Sequence, residues 1–265
     1  MKAEAQGALL AEAAASLSFP VKEIIATVIS GRNDTREFVL INKGTKTIAL
    51  NISVMGLNNI LTFADSLTIK PGEQVVLNLV FETNERKLFV GQIIFSVGNI
   101  EVMRVPAIVN VLSEGFLFDS TISLSRRYQT IKLGELLRAQ FNLAQVGLPG
   151  EQVDVVAVYT IRDFEGNNYF EEKETFAVLG SKEYVKEFFT NNLPIGKYVL
   201  GLELVYPGAF ASASAQFEVI AKRKLPADLM NFIFILILAV LVVLWFWTSH
   251  RKNSLAPPHT RRRIA

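Results

Sequence analysis

The sequence predicts an all-β protein, two β-sandwich domains in tandem followed by one C-terminal transmembrane α-helix. Three observations point there. From Leu17 onward, short runs that alternate apolar with polar residues are broken by turn residues, at the spacing of about 8–12 positions that marks a sandwich. The rhythm pauses at Ser113-Glu114-Gly115 and restarts, which sets the domains at 17–113 and 116–221. Between Leu229 and Thr248 no residue is charged and only Asn231 and Thr248 are polar; about 20 helical residues span the roughly 30 Å of membrane hydrocarbon.

Residues 1–16 are alanine-rich with scattered glutamate and read as a helical or disordered lead-in. The first block then gives alternating runs at Phe38/Leu40 and Ile48/Leu50/Ile52/Val54, joined by Asn42-Lys43-Gly44, where Asn and Gly tolerate positive φ. A third run, Val75/Leu77/Leu79/Phe81, follows the turn residues Pro71-Gly72. A hairpin turned at Gly98-Asn99 ends the block. Pro106 lies in its second arm; lacking an N–H, it marks an edge strand or a bulge. About seven runs fill 17–112. In the second block a long strand, a polar hairpin around Glu165-Gly166-Asn167-Asn168 and a returning strand precede "LPIGKYVLGLELVYPG" and "ASASAQFEVIAK". The link between blocks is too short for free tumbling and predicts a semi-rigid rod. No internal sequence repeat is readable.

The order of a strand ending in "NKG", a long apolar strand, a "PGE" turn and another alternating strand resembles the PapD/MSP-like and related Ig-like sandwich modules. Leu193-Pro194-Ile195-Gly196-Lys197-Tyr198 resembles the opening of a late strand in Ig-like and macroglobulin-type domains. That resemblance implies a structural role for Tyr198, its hydroxyl bonded back to the preceding loop. No cysteine pair and no tryptophan before the membrane run match the antibody type. The whole layout is similar to uncharacterised archaeal single-pass surface proteins carrying tandem Ig-like modules.

The apolar run has Trp245, Phe246 and Trp247 at its C-terminal end, where amphipathic rings favour the headgroup layer. Lys222, Arg223 and Lys224, with Asp228, precede it. The basic tail 249–265 carries Arg251, Lys252 and Arg261 to Arg263 and no acid. The charge difference places the tail in the cytoplasm and the body outside. The basic groups on both flanks suit phosphate headgroups. Glu4 and Glu12 interrupt any apolar stretch of signal-peptide length, so a cytosolic body held by a tail anchor stays open as the alternative.

Composition excludes much chemistry. Of 27 Lys and Arg, five lie in the tail, leaving 22 against 25 acids in the body; a mildly acidic body is a poor footprint for nucleic acid. Cysteine is absent, and both histidines, His250 and His259, follow the membrane run. Thiol and histidine catalysis and thiolate or imidazole metal sites are therefore excluded from the body, and no cofactor is expected. The turn Arg162–Asn168 lacks the spacing of a calcium loop, Glu172 and Glu174 share a strand face without a catalytic neighbour, and neither Ser113 nor Ser125 has a lysine three residues on. Asn33 and Asn51 open N-x-S/T sequons, usable only outside the cell. The reading is a non-enzymatic single-pass membrane protein that presents two Ig-like domains for protein binding, adhesion or envelope scaffolding, touching lipid through its helix and tail. The alternatives are a tail-anchored cytosolic adaptor and an accessory subunit of a membrane complex.

Overall fold

Alternation along the chain decides which face of each strand is buried, and turn chemistry decides where strands end. A computed structural model describes residues 16–147, 150–222 and 238–245. In the first lobe one sheet runs β1 (Leu17–Ser18), β3 (Asn33–Asn42), β7 (Gln74–Glu82) and β5 (Leu61–Thr62). Facing it are β6 (Ser66–Ile69), β4 (Ile48–Met55), β8 (Phe89–Val97) and β9 (Ile100–Leu112), with β2 (Ile24–Ile29) lying parallel to β9. Between them Phe38, Leu50, Phe81, Phe95 and Val109 are fully buried.

The second lobe follows the same plan. β10 (Phe118–Ser123), β12 (Leu136–Gln145) and β15 (Ser181–Phe189) form one sheet. β14 (Asn168–Leu179), β13 (Gln152–Asp163), β16 (Gly196–Tyr206) and β17 (Ala209–Ile220) form the other, with β11 (Thr130–Lys132) parallel to β17. A four-residue helix, α1 (Arg126–Gln129), leads into β11. Pairing for pairing, β3 matches β12, β4 matches β13, β8 matches β16 and β9 matches β17, so the repeat that the sequence hides is present in the connectivity. An Ig-like sandwich is what this Greek-key arrangement amounts to.

Several expectations are refined. The Asn42-Lys43-Gly44 connection is no hairpin: β3 and β4 belong to opposite sheets, and Asn42 is buried because its amide donates to Lys46 O at 2.8 Å and Ile69 O at 3.0 Å, pinning an arch. Pro71-Gly72 likewise carries the chain from β6 in one sheet to β7 in the other. The Gly98-Asn99 turn does close a hairpin, with Val97 opposite Ile100. Pro106 sits opposite Gln92, one residue before the β2 ladder begins at Ala107, so it occupies a local edge where no donor is needed.

The rod of two linked modules becomes something tighter. One ladder position, Ala211 opposite Leu112, joins β17 to β9, so a single sheet runs through both lobes. Residues 1–221 form one compact unit and 222–265 a second. Of the expected membrane run, 229–237 and 246–248 lie outside the described residues, as do 1–15 of the lead-in and the tail; residues 238–245 are helical and exposed. Eight helical residues rise only about 12 Å, and among the described residues no helix is long and apolar enough to cross a membrane.

Candidate functional site

β17 is the strand on which the lobes meet, and its two edges differ. On one edge every residue from Ala209 to Val219 lies opposite a residue of β16. The carbonyls of Phe210 and Ile220 turn the other way, accepting from Ser113 N at 2.9 Å and Leu133 N at 2.9 Å. With a period of two along a strand, the backbones of Ser212, Ser214 and Gln216 face that same edge. On this edge the ladder to β9 stops at Ala211 and the ladder to β11 starts at Glu218, so among the described strands only β16, on the opposite edge, pairs with 212–217.

Ser212 closes the first step of the fork with its side chain. Its hydroxyl accepts from Val111 N at 2.7 Å and donates to Val111 O at 3.0 Å. Beyond it a groove of about 530 Å³ opens. The second lobe lines it with Phe118, Ile122 and Val146 interleaved with Asp119, Ser120 and Thr121, and the first lobe contributes Thr27 and Asn110. Asn110 is 9% exposed, and its Oδ1 is buried without a hydrogen-bond partner, as is Ser120 Oγ on the β10 side. Unmatched buried acceptors and hydroxyls cost about 1–3 kcal/mol each, and such groups are met by water or by a ligand.

Beside this groove the lobes are locked together. Arg162 donates through Nη1 to Leu88 O at 3.0 Å, Leu88 N donates to Glu203 Oε1 at 3.0 Å, and Arg162 Nη2 stands 3.7 Å from the same oxygen. Leu88 and Ile108 of the first lobe pack with Phe164 and Val199 of the second. Gln216 Nε2 donates to Glu23 Oε2 at 2.8 Å, and Arg32 pairs with Glu114. Burial raises the Glu203 carboxyl above its ordinary value, against the Leu88 N–H and the Arg162 charge, which lower it. A cleft of about 600 Å³ lined by Asn58, Lys87 and Asn168 also opens at this junction, but its guanidinium, Arg162, is already committed to Leu88 and Glu203.

The densest ionisable cluster lies elsewhere in the second lobe. Lys186 Nζ bridges Glu172 Oε1 at 2.8 Å and Glu174 Oε1 at 2.6 Å, 4.7 Å above the Tyr159 ring. The Tyr159 and Tyr184 hydroxyls are 2.7 Å apart, and Tyr159 also donates to Glu174 Oε2 at 3.1 Å. Burial pushes the Tyr159 phenol far up. The Lys186 hydrogen bond pulls Glu174 down; Lys186 itself ends raised, its two carboxylates outweighing burial. The ammonium, both carboxylates and the phenol are thus spent on one another. They clamp β15 to β14 across the open side of the sandwich.

The residues singled out in the sequence fall apart in space. Tyr198 is buried, and its hydroxyl donates to Pro194 O at 2.8 Å. Asn33 and Asn51 are exposed on β3 and β4. Lys222 is exposed, Trp245 lies in the 238–245 helix, and Arg223, Lys224, Trp247, Arg251 and Lys252 are outside the described residues. In the turn after β13, Asp163 takes bonds from Glu165 N, Asn167 N, Asn167 Nδ2 and Tyr169 OH, so its oxygens serve the turn itself. Ser113 is buried, and Ser125 precedes α1. Among the described residues no group of three or more His, Cys, Asp or Glu is placed to hold a metal. Sequence reasoning missed the β17 edge; its one signal is "SASAQF", a strand segment without a charge or a large aliphatic residue.

No family model matches the chain, and no curated protein matches it. Among solved structures it is similar to the ASH/PapD-like domain 7 of human CEP192, at 12% identity over 37% of this chain and 87% of that domain, TM-score 0.32. It is similar too to a protein of unknown function from Porphyromonas gingivalis W83, at 11% identity over 77% of this chain and 99% of that one, TM-score 0.38. A third is the CARDB domain of the PF1109 protein of Pyrococcus furiosus, solved with di-metal ions, at 12% identity over 40% of this chain and 94% of that one, TM-score 0.30. No function passes to this chain at such scores.

Proposed function

We propose that this chain is a non-enzymatic, membrane-attached binding protein whose two Ig-like lobes act as one rigid bracket facing out of the cell. The observation that carries this reading is the locked junction: Arg162, Leu88 and Glu203 on one side, Ser212 and Val111 on the other. Such a junction holds surface from both lobes in fixed relation, as a binding platform needs and a flexible tether does not. Attachment is supported by the uncharged run Leu229–Thr248 and the acid-free basic tail after it. The test is protease accessibility on sealed cells. Added protease should degrade the body without lysis. A body that stays intact until the cells are opened makes the protein a cytosolic adaptor held by its tail.

A further inference from the structure

We propose that the open edge of β17 takes an extended segment of a partner polypeptide as an added strand, with apolar residues toward β10 and small or polar residues toward Asn110. The proposal deepens the binding reading above and rests on it. Its first support is the backbone: past the step that Ser212 closes against Val111, Ser214 and Gln216 turn their N–H and C=O groups to an edge with which no described strand pairs. Main-chain bonds to such an edge give affinity, and alternate pockets give specificity.

The second support is a contrast within the molecule. Proteins blunt free edges with charge, proline or bulges. β9 does so, with Arg104 and Pro106 on the stretch that β2 leaves bare; β14 does so with Glu171 to Glu174, and β15 with Lys182, Glu183, Lys186 and Glu187. The bare stretch of β17, Ser212 to Phe217, has no charge and no proline.

The third support is the repeat. In the first lobe β2 covers six residues of β9, whereas in the second β11 covers three of β17, because the chain makes the α1 detour before reaching it. The edge left bare is where a longer counterpart of β2 would run. β2 itself alternates buried Ile24, Ala26 and Val28 with outward Ile25 and Thr27. The groove suits the same alternation: Phe118, Ile122 and Val146 for the apolar residues of an added strand, and Thr27, the unpartnered Asn110 Oδ1 and Asp119, Ser120 and Thr121 of β10 for its small or polar ones.

The test uses the full chain in detergent micelles and a synthetic peptide with the sequence of residues 22–31, which carries the β2 pattern. Hydrogen exchange of the Ser214 and Gln216 amides should be fast in the free protein and slow at least tenfold when the peptide binds. A peptide of the same composition in scrambled order should protect neither. Ser214→Pro removes a donor from the open edge, toward which the Phe210 and Ile220 carbonyls show the even-numbered backbone groups to turn, and should weaken peptide binding tenfold or more. Amides already slow without peptide, or no protection at millimolar peptide, overturn the proposal; both readouts need only the native protein, so a misfolded variant does not blur them. If the peptide fails but a partner protein still cross-links to the body, this edge is not the site and the binding reading stands.

Discussion

A tyrosine and a lysine show how single side chains in this body serve structure before chemistry. Burial pushes the Tyr198 phenol up to about 12, so it stays a donor to Pro194 O at any physiological pH. Tyr198→Phe should cost about 0.5–1.5 kcal/mol, read as a lower denaturant midpoint with an unchanged slope. The Lys186 clamp makes a pH-dependent prediction. Glu174 is held below its ordinary 4.5 by Lys186, so its contribution is full above that value and fades as pH falls through the lowered pKa. Lys186→Met should therefore lower stability at pH 7 and flatten the acid limb of the stability profile, followed by thermal melts from pH 7 to 3.

At the level of strands, close approaches decide what the sheets tolerate. A Cβ on Gly91 would stand 2.2 Å from Met55 O, a backbone atom of the neighbouring strand. On Gly201 it would meet the Leu88 Cδ2 tip at 2.5 Å and Thr160 Oγ1 at 2.7 Å, both side-chain ends. Gly91→Ala should cost more than Gly201→Ala, the second near the usual 1–3 kcal/mol of overpacking, and Leu88→Ala should partly rescue only the second. Denaturation of both glycine variants, of Leu88→Ala and of the two double variants checks this. Strand existence was legible because it rests on local pattern: Ile48/Leu50/Ile52 alternate, and Gly98-Asn99 and Gly166 mark turns. Sheet membership was not. Whether Asn42-Lys43-Gly44 folds back as a hairpin or arches between sheets depends on where the Asn42 amide finds carbonyls 4 and 27 residues on. The parallel ladders of β2 and β11 depend on partners 83 and 88 positions away, as Ile24 with Ala107 and Thr130 with Glu218. The groove on β17 is a missing ladder, and a missing ladder leaves no motif.

For the body as a whole the junction sets cooperativity. Arg162→Met removes the bond to Leu88 O and leaves the part-buried Glu203 with its charge less compensated, a change costing about 1–3 kcal/mol. A carboxyl with a raised folded pKa favours the fold most when protonated, and stability declines as pH rises through that raised value. The variant should therefore recover stability as pH falls from 7 toward the ordinary carboxyl value of 4.5, where the clamp at Glu174 gives no such gain. Calorimetry should also show one transition in the native protein and two in the variant, as the lobes uncouple. The parallel placement of β2 on β9 and of β11 on β17 has a mechanical consequence. When the ends of a lobe are pulled apart, its second and last strands slide past each other, so their hydrogen bonds are loaded together instead of opening one by one like a zip. Six paired positions resist in the first lobe and three in the second. Under tension between an anchor and whatever it grips, the second lobe should yield at the lower force, and single-molecule pulling should show the two steps in that order.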